Sequence, residues 1–344
     1  MKGIVLLGNS RVQIEEFPDP RPGPGEVLVR IKVAGICGSD IHFYRSRPEY
    51  IHTNIIAGHE GSGIIIEAGD GVENVKIGDR VSIYHYASCG HCRYCLKGEK
   101  MLCPNSKGMG WKIHGSDAEY VTIDAENCLP LPASLTFVDG VFLACTGITA
   151  YSAIRKLIPS GRNTLAIFGL GPVGLAVILL AKVLGIETIG LDRVPERIDL
   201  AKQIGVDDVI KVDTQNVEEC VKLLTDGDGP GMIIDTTGNP EVLEEAIQVS
   251  ATGGRIAVVG IPGILGPEVD VSAQLNLFRV VTKQLTIVGV RVAPIWEYFD
   301  MVDLLISRNI HFDSIVTHRF SLDEAQQAFE IASAGYAGKV IFEV

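Results

Sequence analysis

The sequence predicts an α/β chain in which a doubly wound parallel sheet follows a mostly β first part. Three observations carry this. After about residue 150, apolar runs of strand length alternate with helical stretches. The runs are apolar throughout, as in strands covered on both faces. A glycine-rich turn, Gly169-Leu170-Gly171-Pro172-Val173-Gly174, stands between the first run and the first helix.

The first 145 residues are strand-rich and irregular, with strands expected at residues 27–33, 63–67 and 80–83 and a proline-punctuated loop at Pro18, Pro20, Pro22 and Pro24. The alternating part then reads strand 164–168, helix 173–184, strand 188–191, helix 195–204, strand 208–211, helix 217–224, strand 232–235, helix 241–249 and strand 255–259. Right-handed crossovers make this a doubly wound sheet, which a strand at 285–288 closes. The tail from Trp296 has two amphipathic helices and a final strand at 339–343, and is expected to return to the first domain. The expected domains are 1–148 with 290–344, and 149–289.

A length of 344 residues suits about two domains. With 47% hydrophobic and 21% charged residues, the composition is that of a globular protein, not a disordered one. A net charge of −12 without basic runs excludes nucleic acid as an expected partner. No apolar run reaches the ~18 residues of a membrane span, and no signal peptide is visible, so a cytoplasmic, membrane-free protein is expected. Four of the eight cysteines fall between Cys89 and Cys103. Metal binding in a reducing compartment fits them better than a disulfide framework.

The turn from Gly169 to Gly174 fits G-x-G-x-x-G, and it follows a strand and opens a helix, as dinucleotide binding requires. Gly169 makes the turn, Gly171 admits the pyrophosphate, and Gly174 lets helix and strand pack closely, with the phosphates at the helix N-terminus. Asp192, eighteen residues past Gly174, can accept both adenosine ribose hydroxyls and repel a 2′-phosphate. NAD is therefore expected over NADP, although Arg193 and Arg197 weaken the exclusion.

Cys89-x2-Cys92-x2-Cys95-x7-Cys103 can wrap one ion with four thiolates and no open position, the pattern of a structural zinc site. An iron–sulfur cluster could use the same thiolates. The short spacing in one loop and the lack of a partner redox motif favour zinc. Cys37, His59, Glu60 and Cys145 form a dispersed second set. A catalytic zinc needs about three protein ligands and an open place. Taken singly, each of these residues reads equally well as ordinary core.

On these residues the chain resembles the zinc-dependent medium-chain alcohol dehydrogenases, including polyol and threonine dehydrogenases. Gly58-His59-Glu60-x2-Gly63-x5-Gly69-x2-Val72 matches that family's zinc signature, and Cys37-Gly38-Ser39-Asp40-Ile41-His42 looks like its catalytic-cysteine segment. The segments Thr317-His318-Arg319-Phe320 and Gly338-Lys339-Val340-Ile341 are also similar. The resemblance implies a GroES-like catalytic domain carrying a structural zinc lobe beside a Rossmann domain, with two zinc ions per chain. It implies Cys37, His59 and Cys145 as catalytic zinc ligands, Glu60 as a nearby or exchangeable one, and Asp40 as the support of His59. Ser39 and His42 would pass the alcohol proton outward, Thr149 and Val173 would flank the nicotinamide, and Arg197 would contact the ribose. Polyol and threonine dehydrogenases tend to carry an acid where this chain has Ala144, a departure that favours the Cys–His–Cys set.

Ser39 reads equally as the cap of a helix beginning near Asp40, and His42 as a surface histidine. By its offset before Cys89, His85 falls where the family places a pocket-lining residue. With Tyr84, Tyr86, Tyr44 and Trp111 it suggests a pocket with polar handles, hence a polar secondary alcohol or polyol as substrate. The alternatives are an L-threonine 3-dehydrogenase-like enzyme and a non-catalytic dinucleotide-binding scaffold. A homodimer or homotetramer is expected, with the apolar residues 275–292 available to pair.

Overall fold

The computed structural model describes residues 1–51, 54–157, 164–261, 272 and 275–344. The chain divides into two compact units, Met1–Ile148 with Val292–Ala334 and Lys339–Val344, and Thr149–Arg291 with Gly335–Gly338.

The first unit is built on a seven-stranded sheet. Its spine is the strand Glu26–Gly35, in which Val27, Val29 and Ile31 are fully buried while Arg30 points outward. This strand pairs with Glu60–Ala68, Tyr120–Asp124 and the C-terminal strand Lys339–Glu343. The register places both Glu60 and Ile341 opposite Gly35. Helix Phe137–Ala144 lies against the sheet. It begins with a capping box in which Asp139 N donates to Thr136 Oγ1 at 3.0 Å and Thr136 N to Asp139 Oδ2 at 2.8 Å. Ser82 Oγ donates to Gly140 O at 2.7 Å and ties the helix to strand Arg80–Ile83.

The second unit holds a six-stranded parallel sheet in the order Asp208–Lys211, Glu187–Asp192, Thr164–Phe168, Met232–Asp235, Arg255–Val258, Thr286–Gly289. The order reverses beside Thr164–Phe168, which creates the switch point where doubly wound sheets take ligands. Ile189, Leu191, Ile233 and Ile256 are essentially buried and form a core with helices Val217–Leu224 and Pro240–Val249.

The sequence reading differs from the structure mainly in the first unit. The strand expected at 63–67 runs from Glu60 to Ala68. Its glycines hide it from propensity, yet a Cβ at Gly63 would meet Arg30 O at 2.2 Å. The tail holds a further strand, Val316–Phe320, beside Lys339–Glu343. Residues Lys2–Gly8 form a strand paired with Arg11–Glu16. Among the described residues no single helix is long and apolar enough to cross a membrane.

A Cβ at Gly174 would stand 2.0 Å from Gly169 O. Gly174→Ala is therefore expected to destabilise the protein by about 1–3 kcal/mol through overpacking, read as a lower urea midpoint.

Candidate metal centres and dinucleotide turn

Four side chains distant in sequence converge in the first unit. One ligand atom from each of Cys37, His59, Glu60 and Cys145 lies within 4.8 Å of the others. Cys37 ends the turn after Glu26–Gly35 and is the N-cap of helix Gly38–Arg45. The helix thus starts earlier than expected and Ser39 lies inside its first turn, which corrects its reading as the cap. Cys145 occupies the break between helices Phe137–Ala144 and Thr146–Leu157, with φ −152° and ψ −74°. That kink separates it from the helical ladder on both sides.

Asp40 braces two members of the cluster. Its Oδ2 accepts from Cys37 N at 2.8 Å and its Oδ1 lies 3.0 Å from His59 Nδ1. A carboxylate only accepts, so Nδ1 carries the ring proton and Nε2 is left for a metal. Burial opposes an imidazolium at His59, but Asp40 and Cys37 outweigh it and raise His59 well above its usual range. The Cys37 thiol is held well below its usual value, first by its hydrogen bond with Cys145 and then, against burial, by His59. Cys145 is raised by the same contact with Cys37 and by burial. Two sulfurs, an imidazole nitrogen and a carboxylate in one buried cluster are the donor chemistry of a borderline-soft divalent ion such as zinc, so the residues fit the metal.

Glu60 has two further partners that the sequence did not single out individually. Its Oε1 accepts from Thr146 Oγ1 at 2.7 Å, and its Oε2 is ion-paired with Lys339. Burial pushes the Glu60 carboxyl up to about 7 against the pull of Lys339. The signal available in the sequence was a lone lysine at the head of the apolar run Val340-Ile341-Phe342. Asp117, also passed over, is fully buried, and burial raises its carboxyl well above the usual range.

Aromatic rings surround His59. Trp111 stands 4.7 Å from it and His85 4.8 Å, with Tyr86 4.5 Å from His85. His85 Nδ1 donates to Ala144 O at 3.0 Å. Tyr84 lies parallel to His85 at 6.0 Å, and its hydroxyl donates to Ala293 O at 3.0 Å. Tyr44 does not belong to this group, contrary to expectation. It is buried against Phe329 at 5.4 Å, and its hydroxyl meets Gln326 Nε2 at 3.1 Å. The helical register of Gly38–Arg45 turns it towards the core. A small recess adjoins Trp111, lined also by Phe43, Tyr50, Ile51, Ile55 and Ala57. His42 is partly buried, and burial lowers its imidazole pKa.

The second cluster is local. The sulfurs of Cys89, Cys92, Cys95 and Cys103 lie within 4.8 Å of one another, the closest pair being Cys92 and Cys95 at 3.4 Å. Four thiols gathered in this way again fit zinc, with no place left for another ligand. The lobe is tied to helix Ile295–Arg308 by Ile295 N donating to Gly98 O at 2.9 Å.

In the second unit Gly169 has φ +92°, Gly171 is the N-cap of helix Pro172–Val183, and Pro172 occupies its first turn. The helix N-terminus therefore faces the turn, as anion binding requires. Val173 and Gly174 continue this first turn. Asp192 braces the turn from below: Oδ2 accepts from Leu170 N at 2.7 Å, and Oδ1 from Arg193 N and Val194 N at 2.7 and 2.9 Å. The Arg197 guanidinium lies 3.7–3.8 Å from the position of a Cβ on Gly171, and its Nε donates to Ala337 O at 3.4 Å. Thr149 is buried in helix Thr146–Leu157.

Comparison with known proteins agrees with this architecture. Residues 23–133 match the alcohol dehydrogenase GroES-like domain, and residues 172–307 the zinc-binding dehydrogenase domain. The chain is 34% identical to L-threonine 3-dehydrogenase of Pyrococcus furiosus, over 96% of this chain and 94% of that one. It is 32% identical to sorbitol dehydrogenase of Halalkalibacterium halodurans, over 99% and 98%. An alcohol dehydrogenase, RspB, of Escherichia coli CFT073, solved with NADH, superposes with a TM-score of 0.89 at 28% identity, covering 100% of this chain and 99% of that one. The chain belongs to the zinc-dependent medium-chain alcohol dehydrogenase family, and its relatives make it a zinc-type oxidoreductase.

Because Asp40 holds both Cys37 and His59, Asp40→Ala is expected to weaken metal binding at this cluster ~10–100-fold. Chelator competition on the purified protein measures the change.

Proposed function

We propose that this chain is a dehydrogenase that transfers a hydride between a polar secondary alcohol or polyol and NAD, using two zinc ions per chain. The observation that carries this reading is the convergence of Cys37, His59 and Cys145 on one point. Cys37, His59 and Cys145 would hold the catalytic ion, with Glu60 in reach as an exchangeable ligand. Cys89, Cys92, Cys95 and Cys103 would hold the structural one. When bound, zinc acidifies the alcohol oxygen as a Lewis acid, and NAD accepts the hydride. Asp40 fixes the ring of His59 and the backbone of Cys37. Ser39 takes the alcohol proton and His42 carries it outward. Gly169, Gly171, Pro172, Val173 and Gly174 receive the pyrophosphate, Asp192 and Arg197 the adenosine ribose, and Thr149 and Val173 the nicotinamide. The negative charge of Asp192 disfavours a 2′-phosphate and supports NAD.

His85, Tyr86 and Trp111 around His59 support a hydroxylated substrate, and the two named relatives are a threonine and a sorbitol dehydrogenase. An L-threonine 3-dehydrogenase is the second reading, favoured by the relative at 34% identity. A non-catalytic scaffold is disfavoured by the four converging donors. We place the enzyme in the cytoplasm as a homodimer or homotetramer. Helix Leu277–Thr282 exposes Leu277, Phe278 and Val281 beside the edge strand Thr286–Gly289, where a second copy could pair.

A panel of sorbitol, butanediol, inositol, threonine and simple alcohols with NAD and NADP is expected to give the highest kcat/KM on a polyol or diol with NAD. Activity confined to simple aliphatic alcohols would sink the reading. Metal analysis is expected to find about two zinc ions per chain. Cys145→Ala is expected to lose several kcal/mol of catalysis, ~1000-fold in kcat, with the four-cysteine lobe still loaded.

A neutral His42 accepts the proton and a protonated one cannot. Its lowered pKa extends oxidation to more acidic pH than the usual histidine value of about 6.5 allows. His42→Ala is expected to remove that acidic limb from the pH–rate profile.

A further inference from the structure

Strand Lys339–Glu343 carries an ammonium into the interior of the first unit. Neither Lys339 nor Glu60 has exposed surface. Lys339 Nζ is ion-paired with Glu60 Oε2 and donates to Thr146 Oγ1 at 2.9 Å. The Thr146 hydroxyl donates its own hydrogen bond to Glu60 Oε1 at 2.7 Å. The three groups close a ring in which each carboxylate oxygen faces one donor. Gly35 keeps the space: a Cβ there would meet Glu60 Oε2 at 2.7 Å and Lys339 Cε at 2.8 Å.

The same carboxyl lies in the cluster with Cys37, His59 and Cys145, so it is within reach of an ion held there. Two thiolates already balance a divalent cation. A third anionic ligand leaves the site with a surplus negative charge and fills the position a substrate oxygen needs. The ammonium of Lys339 answers both problems, because it neutralises Glu60 and engages its Oε2.

Building on the proposed catalytic zinc site, we propose that Lys339, seconded by Thr146, is a positioning residue. It holds the Glu60 carboxylate back from the cation and keeps the fourth coordination position open. Without the ammonium, the nearest positive charge to Glu60 is the metal itself, and the carboxylate closes the site.

The test uses the full-length protein with cobalt(II) exchanged into the catalytic position and imidazole as a small competing ligand, followed by visible absorption. Lys339→Met is expected to keep its metal content and bind imidazole at cobalt ~10–100-fold more weakly than the parent, with kcat/KM lowered in step. The double variant Lys339→Met/Glu60→Gln lacks the competing carboxylate and is expected to regain imidazole binding. Parent-like imidazole binding in Lys339→Met, or a double variant as weak as the single one, overturns the proposal. If Lys339→Met fails to fold, Thr146→Val removes one donor from Glu60 and is expected to move imidazole affinity in the same direction; no change there also overturns it. Failure of the zinc reading itself looks different, since the parent protein would then hold about one metal ion per chain and show no cobalt response to imidazole.

Discussion

Charged groups taken out of water cost several kcal/mol each unless a partner is built beside them, and the first unit places two thiols, an imidazole and two carboxyls within one small buried volume. Much of the surrounding architecture supplies the partners. Asp40 binds His59 through one oxygen and the backbone of Cys37 through the other. Lys339 and Thr146 divide the oxygens of Glu60. The sheet register makes this possible, because Gly35 lies opposite both Glu60 on one side and Ile341 on the other. A shift of one residue along either pairing would turn these side chains to the wrong face.

The dinucleotide turn follows a related logic. A glycine turn is entropically loose, and the Asp192 carboxylate restrains it by accepting from Leu170 N on one oxygen and from Arg193 N and Val194 N on the other. The acid expected to recognise a ribose is thus also a structural brace. A substitution there that aims only at cofactor choice would disturb the turn as well. Arg197, lying over Gly171, adds positive charge close to where the motif receives phosphates.

The second unit was the more legible half. Its central strands are apolar on both faces, so Thr164–Phe168 and Met232–Asp235 stand out as runs bounded by turns. In the first unit, Glu60–Ala68 begins with two glycines in four residues, whose weak propensity conceals a strand that needs them for close backbone approach. Strand Val316–Phe320 alternates half-buried with exposed residues and carries polar side chains at an edge, so its signal is faint. Tyr44 illustrates the same limit. Its chain neighbours suggest a pocket, but the helix phase sends the ring to Phe329 instead.

Local features can be read directly from the chain. The four cysteines of the lobe are closely enough spaced for one loop to gather them, and the glycine turn is a single strand-to-helix connection. The meeting of Cys37, His59, Glu60 and Cys145, and the delivery of Lys339 to Thr146 across 193 residues, come from the three-dimensional fold. Covalent spacing limits which groups can meet over a few residues. Over hundreds, strand pairing and register select the partners, and the segments around Cys37 and His59 pointed to their meeting only through the family resemblance.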